Sequence, residues 1–293
     1  MEIHTQVFVP PQIYVHPPQQ GTRSSSFPYL SGDTFRSISQ HVIDELSFPI
    51  DVNNINEGDI IFLKTEHLNF FFNIVHPHIT CRYILISHNS DLSCPNQYKY
   101  MLEDPLMIAW FAQNTDLAYQ HPKFFPIPIG LANNHWPHGN TAIIRAAQQK
   151  VIDTQKNKLL YLNIASHTNA ATRNEVVNLF YGKHYCYCSP VKLWSEYLMD
   201  LAGSQFVISP HGNGLDCHRT WETLLMGSFP IVKTSSLDFL YEDLPVLILK
   251  DWNEINEEFL TKKYEEFTQT SWHIEKLYAP YWIDKIKEMQ PLL

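Results

Sequence analysis

The sequence predicts an α/β protein of two domains, each built on a parallel sheet with helices on both faces. The chain has 293 residues, which is too long for one average domain and suits two small ones that each bury a core. Short apolar runs rich in β-branched residues alternate with helical patterns, as in parallel sheets. Polar clusters follow several of these runs, at the edge where α/β sheets bind ligands.

Composition and charge exclude several classes of protein. The chain is 44% apolar and 17% charged, which is ordinary for a globular protein, and no apolar run reaches the roughly 18 residues of a membrane span. Its net charge of −9 argues against nucleic-acid and acidic-membrane partners, since both need a positive face. Residues 1 to 4 lack the layout of a signal peptide. We therefore expect a soluble, cytoplasmic protein with no membrane span.

The cysteines and histidines do not indicate a metal centre. Five cysteines form an odd set without paired CxxC spacing, so neither a disulfide framework nor a structural zinc site is expected. Of the fifteen histidines, His211 and His218 lie near Cys217, but the chain has no HExxH motif and no carboxylate at helical ligand spacing. We expect a reducing compartment and no metal.

The first half begins with a proline-rich, extended lead-in at residues 1 to 28, with β-like pieces at 6–9 and 13–15. A helix is predicted from near Asp33, capped by Ser31 or Asp33 and continued by the apolar spacing of residues 38, 42, 43 and 46. Strands are predicted at 60–63, 82–87, 108–111 and 124–129, with a helix at 68–75. Polar clusters follow at 88–91, 113–114 and 130–140, and for any single residue of these clusters a hydrogen-bonded loop is a better explanation than a direct functional role.

One of these clusters, residues 135 to 140, combines Trp136 with His135 and His138. An aromatic face can stack on a sugar ring while polar neighbours hydrogen bond to the sugar hydroxyl groups. Residues 141 to 155 predict a polar helix without a strong apolar stripe, which we interpret as the passage between domains.

The second half repeats the alternation of strands and helices. Strands are predicted at 158–162, 206–209, 229–232 and 246–249, and helices at the segment containing Arg173 and at 194–201, 215–226, 252–263 and 275–289. Gly227 is predicted to end the third of these helices.

The turn between strand 206–209 and the next helix has the composition of a phosphate site. It reads His211-Gly212-Asn213-Gly214, and Arg219 and Glu222 follow three residues apart. Backbone N–H groups at a helix start favour anions, and a guanidinium group can form bidentate hydrogen bonds with a diphosphate. A carboxylate can accept hydrogen bonds from ribose hydroxyls. The same residues are equally compatible with a tight turn and a surface ion pair.

The string SPHGNGLDCHRTWETLLMGSFPIV resembles the donor-binding segment of exostosin-like glycosyltransferases (glycosyltransferase family 47 type). The similarity is strong over 206–252, weaker over 156–205 and only general before that. It implies the GT-B fold, in which two Rossmann-like domains with parallel sheets face each other across a cleft. The expected parts are an acceptor-side domain at 1–150, a nucleotide-sugar domain at 151–270, and a terminal helix at 271–293 that crosses back to the first domain.

Carried over by residue, the resemblance implies that Arg219 holds the diphosphate and Glu222 the ribose, with Thr168, Asn169 and Arg173 on the opposite lip of the site. From the residues alone, these three positions are equally well explained by a helix cap at 168 or 169 and a solvated Arg173. The whole expected donor site is Asn163, Thr168, Asn169, Arg173, His211, Gly212, Asn213, Gly214, Arg219 and Glu222.

The implied function is an inverting, metal-independent hexosyl- or pentosyltransferase of bacterial or viral type, without a cofactor. Its expected partners are a nucleoside diphosphate sugar, with UDP as the nucleotide, and a glycan acceptor. Arg219 would stabilise the leaving group, and a base would act from the other side. Asp33, His88 and Asp91 are the candidates, and we place the base on Asp33 by its position, although a helix N-terminus lowers a carboxyl pKa.

Two alternatives share these features. The first is a fucosyltransferase-like GT-B enzyme that uses another nucleotide sugar, which a screen of donors would separate from the main hypothesis. The second is a catalytically inactive module that binds a sugar or a nucleotide, for which saturable nucleotide binding without turnover is the expected signature.

Overall fold

The computed structural model describes residues 23–47, 50–117 and 119–291. The β-like pieces predicted at 6–9 and 13–15 lie outside these residues. Within them, strands and helices alternate, and the strands form two five-stranded sheets in which every pairing is parallel. The α/β class predicted from the sequence is therefore confirmed.

The first sheet contains its strands in sequence order. They are β1 (His41–Ile43), β2 (Asp59–Lys64), β3 (Tyr83–His88), β4 (Met107–Ala112) and β5 (Phe124–Pro126). Its helices are α1 (Gly32–Ser37) and α2 (Leu68–Phe70), which a π-helical turn at Phe71–Val75 continues. Every residue of β3 is buried, as expected of a central parallel strand covered on both faces.

The predicted helix from Asp33 to residue 46 is wrong in its second half. Helix α1 ends at Ser37, and Val42 and Ile43 belong to β1, where they pair with Phe62 and Leu63 of β2. Their spacing fits a helical stripe, but β-branched side chains fit a strand, and pairing with β2 satisfies the backbone. Of the two predicted caps, Ser31 caps α1 by accepting from the Thr34 N–H.

The second sheet has a different order, β10-β9-β8-β6-β7. Its strands are β6 (Lys158–Leu162), β7 (Cys186–Cys188), β8 (Ser204–Ile208), β9 (Phe229–Lys233) and β10 (Leu247–Leu249). Its order reverses between β6 and β8, which lie side by side although β7 lies between them in sequence. Such a reversal opens a crevice at the carboxyl ends of the two strands, where open α/β sheets bind ligands.

The helices of this half follow the same alternation. They are α3 (Thr141–Val151), α4 (Ala170–Phe180), α5 (Trp194–Ala202), α6 (His218–Leu225), α7 (Glu257–Gln269) and α8 (Ala279–Lys287). Helix α6 begins three residues after the predicted start at Leu215. Its last residue is Leu225, and Gly227 terminates it as predicted, with a φ of +68° and an N–H that donates to the Leu224 carbonyl.

Three apolar clusters stabilise the fold. One covers the outer face of the first sheet and one the outer face of the second. The third is shared, because it joins Phe62 and Ile86 of the first sheet to Tyr161 and Val207 of the second. Helix α3, predicted to be polar, also buries an apolar side in this shared cluster through Ile144 and Ala147.

The C-terminal segment packs against the N-terminal half. Tyr278 forms a bridge with Tyr29, the Ala279 N–H donates to the Pro28 carbonyl at 2.9 Å, and the Gln290 amide donates to the Gly58 carbonyl at 2.9 Å. Across residues 23–47, 50–117 and 119–291, no helix combines the length and the apolar character needed to cross a membrane.

Candidate functional site

The candidate site lies at the reversal point of the second sheet, where the loops after β6 and β8 meet loops of the first sheet. A cavity of about 510 Å³ opens there, which we call the reversal cavity. It adjoins a second cavity of about 480 Å³, the adjoining cavity, which lies against the loops of the first sheet. Both volumes are in the range of small-molecule sites. Four residues line both cavities and are called the junction: Asp91, Ile129, His138 and His218.

Two arginines line the reversal cavity without an acidic partner. Arg173, at 7% exposure, donates from Nε to the His211 carbonyl at 3.2 Å and from Nη1 to the Ala165 carbonyl at 2.9 Å. Within the described residues neither Arg173 nor Arg219 forms a salt bridge, and Nε of Arg219 is buried without a hydrogen-bond partner. Burial, and next the positive charge of Arg219, lower the pKa of Arg173. Two cations without a salt-bridge partner here form a site suited to an anion.

The glycine turn lies directly against these arginines. A Cβ at Gly212 would lie 2.9 Å from Nη2 of Arg173, and a Cβ at Gly214 would lie 2.6 Å from Nδ2 of Asn114. Neither glycine has a positive φ, so the turn does not require glycine for a left-handed backbone conformation. The glycines instead allow the arginine and the loop of the first sheet to approach the backbone closely.

Glu222 also lines the reversal cavity, and it is not a surface residue. It is 5% exposed, and its Oε1 accepts from Nε1 of Trp194 at 2.9 Å. The described residues contain no Arg219–Glu222 salt bridge, so the alternative of a surface ion pair is wrong. Burial raises the pKa of Glu222. A buried carboxyl group held by an indole N–H has a fixed position toward the cavity.

The remaining predicted donor residues divide into two groups. Asn163, Thr168 and Asn213 line the reversal cavity. Asn169 and His211 do not, because they bond to each other at 3.2 Å, and Asn169 also donates to the Gly212 carbonyl at 3.0 Å. Asn169 caps α4 by accepting from the Thr172 N–H, so the predicted cap exists. These two residues therefore support the glycine turn on the side away from the reversal cavity.

A buried carboxylate that sequence reasoning missed fixes the two halves together. Asp216 is 3% exposed and accepts from the Ile129 N–H at 2.8 Å, from Nε1 of Trp221 at 2.8 Å and from the Tyr241 hydroxyl at 3.1 Å. Its own N–H donates to Oδ1 of Asn114 at 2.9 Å. The sequence feature that could have identified Asp216 is its position directly before Cys217, His218 and Arg219. Asp216 therefore sets the position of the glycine turn against the first sheet.

The adjoining cavity carries the predicted carbohydrate loop. The Trp136 side chain is 53% exposed, and its ring lies 6.1 Å from that of His138 at an interplanar angle of 25°. Asn89 and Asn133 line the same cavity and are hydrogen bonded to each other at 3.0 Å. An open indole face beside amide groups has the chemistry of a sugar subsite.

His88, one of the three predicted bases, has both ring nitrogens occupied. Its Nδ1 accepts from the Asn89 N–H at 2.7 Å, which makes Nε2 the donor to the Pro128 carbonyl at 3.0 Å. The side chain is 1% exposed, and burial lowers its pKa to about 4. In this arrangement His88 supports the loops and has no free lone pair for a substrate proton.

Asp33, the preferred base, is completely buried and does not line either cavity. Its Oδ1 lies 3.2 Å from Nε of Arg23, and its Oδ2 lies 3.6 Å from Nδ1 of His135. Burial raises its pKa, so the lowering expected from the helix N-terminus does not dominate. The preceding Gly32 lets Asn89 approach the backbone closely, since Oδ1 of Asn89 would lie 1.7 Å from a Cβ at this position. The geometry makes Asp33 a support for Arg23 and His135.

The third predicted base, Asp91, lies at the junction and is exposed. Its Oδ2 accepts from Nδ2 of Asn213 at 3.3 Å. His218 is also at the junction, with Nδ1 bonded to the Gly130 carbonyl at 2.8 Å. Sequence reasoning considered His218 only as a metal ligand. In the part of the chain that the structure describes, no group of three His, Cys, Asp or Glu side chains is placed to hold a metal ion.

The fold and the site together define a parallel α/β protein of two sheets, with two unpaired arginines and a buried glutamate in a cavity where one sheet reverses its strand order. No protein-family model matches the chain, and no curated protein matches it. Among solved structures, it is similar to a chain in the crystal structure of the GtfA/B complex, with 13% sequence identity and a TM-score of 0.38. The match covers 81% of this chain and 58% of that chain.

Proposed function

We propose that this protein is a glycosyltransferase that moves a sugar from a nucleoside diphosphate donor, with UDP as the expected nucleotide, to a hydroxyl of a glycan acceptor. The observation that carries this proposal is the pair Arg173 and Arg219, which lie in the reversal cavity without a carboxylate partner among the described residues. Two cations without a salt-bridge partner in a partly buried cavity suit a polyanionic ligand, and a diphosphate provides two adjacent anionic groups.

Glu222 supports a nucleotide over a simple phosphate. Its carboxyl group lines the same cavity as the arginines, and the Trp194 indole fixes its orientation. A carboxylate repels phosphate but accepts hydrogen bonds from a pair of hydroxyl groups, as a ribose presents them. A cavity of about 510 Å³ is also large enough for a nucleoside diphosphate.

The adjoining cavity supports a carbohydrate acceptor. Trp136 offers an exposed indole face, and Asn89, Asn133 and Asp91 offer groups that hydrogen bond to sugar hydroxyls. Since the two cavities share the junction, a donor in one and an acceptor in the other would meet there. Reaction by inversion and without a divalent ion is part of this proposal, with Arg173 and Arg219 stabilising the charge of the leaving diphosphate.

The test is a screen of UDP, GDP, ADP and CMP for binding, followed by their common sugars for release of nucleotide in the presence of mixed oligosaccharides. We expect saturable binding of one nucleoside diphosphate, measured by calorimetry, and turnover of its sugar that persists in excess EDTA. Binding without turnover would identify a nucleotide-binding module. Absence of binding by any nucleotide would overturn the proposal, and recovery of an EDTA-abolished activity by Mg²⁺ or Mn²⁺ would overturn its metal-independent mechanism.

A further inference from the structure

We propose that His218 is the general base that takes the proton from the acceptor hydroxyl, through its Nε2 atom. This inference rests on the proposed function and adds to it a catalytic residue that the sequence resemblance does not supply. Three observations support it: the hydrogen bond of one ring nitrogen, the freedom of the other, and the position of the ring.

The hydrogen bond fixes the form of the ring. Nδ1 of His218 lies 2.8 Å from the Gly130 carbonyl oxygen, and a carbonyl oxygen only accepts. Nδ1 therefore carries the proton, and in the neutral ring Nε2 holds the lone pair. No hydrogen bond to Nε2 occurs within the described residues. A histidine whose tautomer and orientation are set by a backbone carbonyl is prepared to accept a proton at the other nitrogen.

The position of the ring is the third observation. His218 lines both the reversal cavity and the adjoining cavity, and it directly precedes Arg219. A sugar whose diphosphate is held by the arginines would place its anomeric carbon toward the junction, where an acceptor from the adjoining cavity would approach. A base must lie within hydrogen-bond reach of the acceptor hydroxyl, and only a junction residue meets donor and acceptor at once.

Among the other candidates, the geometry favours His218. His88 has both nitrogens occupied, and Asp33 is buried and lines neither cavity. His138 is exposed on a loop, and none of its ring nitrogens forms a hydrogen bond within the described residues that would fix its orientation. Asp91 is exposed and engaged by Asn213, and it lies near enough to His218 to favour the protonated ring.

The step balances as a displacement at the anomeric carbon. The acceptor oxygen forms the new bond to that carbon while the bond from the carbon to the diphosphate oxygen breaks. The hydroxyl proton moves to Nε2 of His218, and the leaving diphosphate takes the electron pair, with Arg173 and Arg219 stabilising its charge. The resulting imidazolium is stabilised by the carboxylates of Asp91 and Asp216.

The charges around the ring set the expected pH dependence. Asp216 and Asp91 raise the pKa of His218, but burial lowers it by more, so its pKa lies below the ordinary value. Of the other groups near the ring, the adjacent Arg219 is positively charged, whereas burial lowers the pKa of both His88 and His138 and so favours their neutral forms. Since the base must be neutral, activity should be constant near pH 7 and should fall as pH decreases through this lowered pKa.

The experiment compares His218→Asn, His218→Ala and the wild type in UDP binding and in turnover of the UDP-sugar that the wild type uses. Asparagine can still donate to the Gly130 carbonyl but has no basic nitrogen. We expect both variants to bind UDP within about threefold of the wild type and to lose at least about a hundredfold in kcat. Imidazole should restore part of the activity of His218→Ala, and the acidic limb of the pH profile should be absent from both variants.

The control is His184→Ala, because His184 is exposed, pairs with Glu257 and lines neither cavity. It should behave as the wild type. An active His218→Asn would show that the hydrogen bond to Gly130 is the whole role of His218 and would overturn the proposal. Loss of UDP affinity in the variants would show that His218 binds the donor nucleotide and is not the base. The same loss of turnover in Asp91→Asn, with His218→Asn active, would place the base on Asp91. A wild type that binds UDP without turnover would overturn the transferase proposal and the base with it.

Discussion

Arg219 is the residue whose removal should reduce donor use most. Its Nε is buried without a hydrogen-bond partner, and Arg219 forms no salt bridge within the described residues, so its guanidinium is available to an anion in the cavity. Because a contact to the diphosphate strengthens as negative charge develops, Arg219→Ala should lose about 3 kcal/mol in kcat/KM, about a hundredfold. Steady-state kinetics measure the loss in kcat/KM, and UDP calorimetry measures the loss of affinity for the nucleotide. Arg82→Ala is the matched control, since Arg82 is exposed and paired with Glu57; equal effects of the two changes would refute the assignment.

His88 should make the protein sensitive to acid. Burial lowers its folded-state pKa to about 4, below the unfolded value near 6.5, so the folded state excludes the proton. The stability is fully present above pH 6.5 and is lost as pH falls from there toward 4. Between pH 7 and pH 5 the free energy of unfolding should drop by about 2 kcal/mol from this residue.

Urea unfolding at both pH values measures this drop, and His88→Gln should reduce it. A variant whose stability falls as steeply as that of the wild type between the two values would show that His88 is not responsible. The histidines at the junction share the direction of the shift, so part of the acid sensitivity should remain in His88→Gln.

The sequence and its family resemblance predicted which side chains would lie close together, but not how each of them is held. Arg173, Arg219 and Glu222 do converge in one cavity, because the loops after β6 and β8 meet where the strand order reverses. The sequence could not show that Glu222 is buried against Trp194, a residue 28 positions away. It also could not show that Gly130 fixes the tautomer of His218, since that contact joins the two halves of the chain.

At the scale of elements, the glycine turn between β8 and α6 is the part most sensitive to a small change. In Gly212→Ala the new methyl group would lie 2.9 Å from Nη2 of Arg173 and would displace either the turn or the arginine. We expect UDP affinity to fall at least tenfold while the melting temperature changes by only a few degrees. In Gly203→Ala, the control, the nearest atoms lie at 3.5 Å or more. Unchanged UDP affinity in Gly212→Ala would show that the turn does not position Arg173.

Strands and helices with strong local patterns were predicted correctly, and the failures have a common cause. β3 contains the apolar run 83–86 and β8 the run 206–208, and short apolar runs rich in β-branched residues and closed by polar residues or proline favour strands. The segment from Ile38 to residue 46 has helical spacing but becomes β1, because the edge of β2 needs a partner. Helix α6 starts late because Asp216 is held by groups from both halves, which no local pattern reveals.

For the whole molecule, the shared apolar cluster bears on how the two halves unfold. Two-domain α/β proteins with a wet interface are expected to unfold in two steps. Here Phe62 and Ile86 of the first sheet pack in the same buried cluster as Val207 of the second and Trp282 of α8. Separating the sheets would expose this cluster in both halves, so neither half should remain folded when the other unfolds.

We therefore predict one cooperative transition. Calorimetry should show a single peak with equal van't Hoff and calorimetric enthalpies, and amides of β3 and β8 should exchange with solvent at the same free energy of opening. UDP supplies the decisive comparison, because the residues proposed to bind it lie around β6 and β8. At a hundred times its Kd, UDP should raise the free energy of unfolding by about 2.7 kcal/mol, and protection in β3 should rise as much as in β8. Protection that rises in β8 alone would mean that the sheets unfold independently and that the shared cluster does not couple them.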